Sequence, residues 1–246
     1  MKYLPATLAL CLLALAGCRN DPVEKRAELR RDIDATRPAN SGSSRARLRE
    51  LLLGSADTRQ DPDPHLRATA AQGLGEIGDP EDFEALREAL LGAFADSQTV
   101  VRMEAAISLG KLRYTGLTDA RRKETIRMLR SRLAFERDAA GRLMEGQYLV
   151  RSAMLNTLAS LGARDAAIAL HEVADRIATD LEGPDAQLLS SPGDEGLVDL
   201  CFEHIALMAG VTREQLLERQ RLSELRAATL QWLSGKIAEM PQVPDR

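Results

Sequence analysis

Apolar residues recur at helical spacing through most of the chain after residue 44, and alternating runs of the strand type are absent. Leu48, Leu51 and Leu52 fall on one side of a first helix beginning near Arg45. Phe83, Leu86, Leu90 and Phe94 line one side of a segment at 82–95, and Ala167, Leu170, Ala174 and Ile177 line one at 164–179. A further helix is predicted at 118–134, and a helical segment at 196–208. Before residue 44 the pattern changes. Residues 4–16 carry no charge, residues 19–43 are polar, and Pro38-Ala39-Asn40-Ser41-Gly42-Ser43 has the composition of a flexible linker. The expected class is all-α.

Self-similarity organises these helices. His65-Leu66-Arg67-Ala68-Thr69-Ala70-Ala71-Gln72-Gly73-Leu74-Gly75 aligns, 35 residues on, with Val100-Val101-Arg102-Met103-Glu104-Ala105-Ala106-Ile107-Ser108-Leu109-Gly110. Arg67, Ala71 and Leu74 correspond to Arg102, Ala106 and Leu109, and Asp61 corresponds to Asp96. A third copy, Val150-Arg151-Ser152-Ala153-Met154-Leu155-Asn156-Thr157-Leu158, lies 49 residues beyond the second, with Glu145 in the acidic place. Leu225-Arg226-Ala227-Ala228 opens a weaker fourth copy. The acid lies six residues before the arginine, near a helix start, where a carboxylate can accept free N–H groups and meet the positive end of the dipole. Paired alanines allow close helix approach, and leucines such as Leu155 and Leu158 fill the core. A helix pair cannot bury its apolar face alone, so the copies must stack.

These Val/Leu-Arg-x-x-Ala-Ala-x-x-Leu-Gly cores, with Gly78-Asp79-Pro80 as an interhelix turn, resemble the HEAT repeat family in the short form found in phycobilin lyases. The likeness covers residues 61–112 and 145–180. It implies an α-solenoid of four to five stacked antiparallel helix pairs, with insertions at 135–146 and 181–194, and a protein-binding role. Gln72, Glu104, Ser108 and Asn156, between the repeat-core positions, are the expected partner contacts.

The N-terminal pattern points to export. Lys2 precedes the uncharged run, which is too short for a spanning helix of about twenty residues and has the layout of a secretory signal. It ends in Leu15-Ala16-Gly17-Cys18, which resembles the lipobox of bacterial lipoproteins. The resemblance implies that residues 1–17 are removed, that Cys18 is acylated and that residues 18–43 tether a repeat domain at 44–246 to the membrane. Two or three acyl chains suffice for stable attachment. Arg19 rather than aspartate follows the cysteine, which by the sorting rule of enteric bacteria favours the outer membrane, facing the periplasm.

Charge and chemistry narrow the function. Without Lys2 there remain 32 basic and 37 acidic residues, so a general nucleic-acid binder is not expected. Of Cys11, Cys18 and Cys201, only Cys201 would remain a free thiol, so no disulfide within the chain is expected. Gly73-Leu74-Gly75-Glu76-Ile77-Gly78 matches the dinucleotide fingerprint in letters, but an alanine-rich helix precedes it and Asp79-Pro80 follows, so a helix end is expected instead. Cys201 and His204 share a helix face and could form half a zinc site, although a second ligand pair at suitable spacing is missing. His171 and Asp175, four apart, are expected to form a surface pair. Arg121, Arg122, Lys123, Arg127, Arg130 and Arg132 make one helix basic, while Asp180, Glu182, Asp185, Asp194 and Glu195 make the following region acidic. The sequence holds no G-x-S-x-G, H-E-x-x-H or Walker motif. Three functional readings stand: a membrane-anchored scaffold for a protein partner without a cofactor, an enzyme or enzyme accessory with a site near Cys201 and His204, and an envelope-stress or assembly lipoprotein whose role is mostly structural.

Overall fold

The computed structural model describes residues 27–28, 31, 42–54, 63–91, 96–112, 119–139, 141, 143–183, 186, 193–222 and 226–241. The expected signal run, Cys18, nearly all of the expected tether, Asp61, Phe94, Asp185 and Leu225 lie outside the described residues.

Among the described residues the chain forms α1 (Gly42–Leu53), α2 (Pro64–Ile77), a 3-10 turn (Pro80–Asp82), α3 (Phe83–Leu91), α4 (Thr99–Lys111), α5 (Asp119–Ala134), α6 (Tyr148–Ser160), α7 (Ala163–Glu182), α8 (Asp194–Met208), α9 (Arg213–Leu222) and α10 (Arg226–Glu239). The helices stack in two layers. In one, α2 packs on α4, α4 on α6 and α6 on α8; in the other, α5 packs on α7 and α7 on α10, while α3 backs onto α4. Leu66, Leu74, Phe83, Leu90, Val101, Leu109, Leu129, Val150, Leu158, Leu170, Val173, Leu197, Phe202 and Leu233 run through one continuous core. The expected solenoid is the observed architecture.

Local chemistry sets the element ends. Asp63 precedes α2 and accepts the N–H of His65 at 2.9 Å, and Pro64 occupies the first turn, where its missing N–H costs nothing. Gly78 ends the helix at φ 69°, a left-handed cap that favours glycine, and donates its N–H to Leu74 O at 3.0 Å. Gly73 and Gly75 lie inside α2, so the fingerprint letters spell a helix terminus. Asp79 then caps the 3-10 turn by accepting the N–H of Glu81 at 2.9 Å.

Small residues bring the first layer together. A Cβ placed on Gly75 would fall 2.5 Å from Ser108 Oγ and 2.7 Å from its Cα, so α2 and α4 touch through bare backbone. At the next seam Gly110 faces Ser160 and Thr157, and the Thr157 hydroxyl donates to Ala106 O at 2.7 Å.

The weaker fourth copy does not extend the first layer. α8, rather than the helix starting at Arg226, follows α6 in the first layer; α10 lies against α7. Six residues beyond Asp194 stands Leu200, so α8 lacks the repeat arginine, and burial pattern rather than motif recruits it.

Candidate functional site

The repeat arginines and acids join one copy to the next. Arg67 binds Asp96 of the following copy through Nε to Oδ2 at 2.5 Å and Nη2 to Oδ1 at 3.0 Å. Arg102 binds Glu145 through Nε to Oε2 at 2.8 Å and Nη2 to Oε1 at 3.3 Å. Arg151, fully buried, binds Asp194. The sequence placed each acid at the start of its own helix. Asp96 and Glu145 do accept one N–H there, from Gln98 at 2.8 Å and Gln147 at 3.0 Å. Their main partner, however, is the arginine of the preceding copy, because the bidentate fork satisfies both oxygens of a buried carboxylate at once. α1 is tied in by a different set. Arg45 contacts Asp79, Glu81 and Asp82, and Arg49 reaches the buried Asp82. Sequence reasoning missed this set, although the i,i+4 spacing of Arg45 and Arg49 was a usable signal.

The expected partner-binding residues divide. Gln72 is half-buried on α2 and donates to Glu76 Oε1 at 3.1 Å. Glu104 is half-buried on α4; burial chiefly raises its carboxyl, Lys111 opposes this, and the neighbouring Glu76 adds to it. Asn156 is exposed on α6. Ser108 is corrected: it is fully buried under Gly75 and offers nothing to a partner. Its place in the repeat faces the helix seam, where the missing Cβ of glycine is filled.

The Cys201–His204 pair separates by depth. Cys201 is fully buried, and burial pushes its thiol up to about 12, with Arg151 offsetting part of the effect. Such a thiol carries almost no thiolate at neutral pH and is a poor nucleophile or ligand. His204 lies half-exposed at the seam with α6, where its Nε2 is 2.9 Å from Asn156 Oδ1; burial lowers its pKa, with Glu203 acting against it. Among the described residues no three His, Cys, Asp or Glu side chains are grouped to hold a metal. His171 is also corrected. Its Nε2 lies 3.0 Å from Leu230 O and joins α7 to α10 rather than pairing with Asp175.

The basic helix α5 spends much of its charge on partners within the chain. Arg121 donates to Pro80 O at 2.5 Å and lies 5.9 Å above the Phe83 ring. Arg130 pairs with Glu172 at 2.9 Å, and Arg132 with Glu136 at 3.1 Å. Exposed apolar side chains collect elsewhere: Met144, Tyr148 and Leu149 around the start of α6, and Leu207 and Leu217 on α8 and α9. No helix among the described residues is long and apolar enough to cross a membrane.

A protein-family model described as HEAT repeats matches residues 42–110 and, in an overlapping match, 56–142. No curated protein matches the chain. α1 to α5 therefore carry HEAT repeats, and the chain as a whole is an all-α, HEAT-like solenoid.

Proposed function

We propose that this chain is an exported, lipid-anchored HEAT-repeat scaffold that holds a protein partner in the cell envelope. HEAT repeats typically serve protein interaction, and among the described residues Arg67, Arg102 and Arg151 spend their charge on joining one repeat to the next. The carrying observation is this combination of stacked repeats with Leu15-Ala16-Gly17-Cys18 closing an uncharged N-terminal run. Export places the solenoid outside the cytoplasm. Acylation of Cys18 holds it at the membrane, and residues 18–43 give it reach. Gln72, Glu104 and Asn156 on α2, α4 and α6 contribute to the partner-binding face. Arg19 after the acylated cysteine directs the protein to the outer membrane of a two-membrane host.

Two experiments test the proposal. Cys18→Ser is expected to abolish incorporation of labelled fatty acid and to leave an uncleaved precursor or a soluble form; continued labelling would exclude the anchor. Crosslinking of the intact anchored protein in membranes, followed by isolation, is expected to recover a protein partner, with less recovered from a combined Gln72→Ala, Glu104→Ala, Asn156→Ala chain. Equal recovery from both would remove that face from the proposal. Recovery from neither would remove the scaffold role.

A further inference from the structure

The C-terminal end of the stack carries a second surface with its own chemistry. α8 presents Glu195, Asp199 and Glu203 on successive turns, all exposed, and the line continues to Leu207, which is 76% exposed. Residues at i,i+4 spacing share a helix face, and Glu195 to Leu207 covers about 18 Å of axis. Beside this line lies an open cleft of about 570 Å³ lined by Glu182, Asp199 and Glu203 together with Phe202, Leu216 and Leu217. It shares Glu203, Arg213 and Leu216 with a second cleft of about 320 Å³ that reaches Leu207 and Val211. The two form one groove along α8, flanked by α9. Leu217 on that flank is 47% exposed.

The charges of the groove are unevenly matched. Three carboxylates of its lining, Glu182, Asp199 and Glu203, with Glu195 beside them, face Arg213 and Arg226. Arg226 is divided between Glu182 at 3.6 Å and Glu195 at 3.5 Å, and Arg213 reaches Glu203 only at 4.0 Å from a largely exposed position. Asp199 forms no ion pair among the described residues. Burial raises its carboxyl most, Glu203 and Glu195 add to this, and Arg226 offsets only part. An incoming cation would relieve this repulsion, and an incoming aliphatic side chain would cover Leu207 and Leu217.

We propose that this groove docks a basic amphipathic helix of a partner protein, its aliphatic side chains on Leu207 and Leu217 and its lysines or arginines on Asp199 and Glu203. The inference rests on the scaffold reading and specifies the chemistry of the partner. Just over three turns of an incoming helix, roughly 18 Å, would match the length of the line, in the manner of a helix laid into a groove. The acidic wall disfavours an anionic membrane surface, and a bare cation would make no use of the leucines.

The test uses the full chain in detergent and a labelled synthetic helix of about 14 residues with leucine and lysine in amphipathic order. Two other peptides serve as references: the same helix with glutamate for lysine, and the same leucines and lysines in scrambled order. Binding is followed by fluorescence anisotropy, and the fold of each variant by circular dichroism. The amphipathic basic helix is expected to bind more tightly than either reference. Asp199→Asn with Glu203→Gln should weaken it about tenfold, and Leu207→Ser with Leu217→Ser should do likewise. Glu88→Gln with Glu124→Gln, the same charge change on the opposite layer, should leave it unaltered. The proposal is overturned if this distant pair weakens binding as much, if the leucine changes have no effect, or if the scrambled peptide binds equally well. If the groove variants bind the peptide weakly yet still recover the membrane partner undiminished, the groove is not that partner's site and the scaffold role stands.

Discussion

At the scale of single residues, the positions where burial and charge conflict carry the most information. Glu104 is the clearest case on the repeat face: it is half-buried, lies near Glu76, and its carboxyl is raised chiefly by burial. A raised folded-state value means that the folded chain holds this proton more tightly than the unfolded chain. Stability from this group is then present at low pH and is lost as pH rises through the carboxylate range. At neutral pH the charge is a cost to folding. Glu104→Gln is therefore expected to be more stable than the parent at pH 7, with the gain disappearing in acid, as read by urea denaturation at several pH values. A glutamine variant less stable at pH 7 would contradict this account.

At the scale of elements, the helix seams depend on what is missing as much as on what is present. Gly75 lies within α2, in its last turn, where alanine would ordinarily add about 0.5–1 kcal/mol of stability. Here the added methyl would meet both the side chain and the backbone of Ser108, so α2 and α4 would have to separate. We expect Gly75→Ala to cost about 1–3 kcal/mol. Gly235 in α10 has nothing within 4 Å of the same position, so Gly235→Ala should stabilise. Thermal unfolding of the two variants side by side decides the matter, since a gain at both sites would mean that the seam is not close-packed. The motif shared by Arg67 and Arg102 predicted that these helices recur, and Leu74-Gly75 and Leu109-Gly110 marked where they end. That Ser108 fills the space above Gly75 was not legible, because a serine in a helix reads as a surface residue until its neighbour is known.

At the scale of the molecule, the arginine–carboxylate pairs make a chain of links between successive copies. Arg67–Asp96, Arg102–Glu145 and Arg151–Asp194 each cross from one helix of the first layer to the start of the next. The last is buried on both sides. Breaking one partner of a buried pair strands the other, at about 3–5 kcal/mol, a large share of the roughly 5–15 kcal/mol that holds a typical domain together. Asp194→Ala and Arg151→Ala should each show that loss in chemical denaturation. The paired change Arg151→Met with Asp194→Leu should recover most of it, because an apolar pair leaves no charge stranded. Single changes within about 1 kcal/mol of the parent would show that water reaches the pair. In a stack whose repeats contact mainly their neighbours, the damage should spread through α6 and α8 before it reaches α2.

The sequence by itself determined the helical class, the repeat and the approximate extent of several helices. Helical period and the Gly78-Asp79-Pro80 turn are local signals that act through nearby backbone groups, whereas the Asp63 cap of α2 emerged only from the structure, the sequence having pointed to Asp61. The sequence also determined that Arg102 and Arg151 occupy equivalent places. Only the tertiary structure decided what those arginines bind, since Glu145 and Asp194 lie 43 residues away along the chain. It also decided that Ser108 is buried, that Cys201 and His204 part into core and seam, and that α8 rather than α10 continues the first layer. Each of these depends on which helix faces which, and that is set by burying the apolar faces of many segments at once, a condition that no single segment contains.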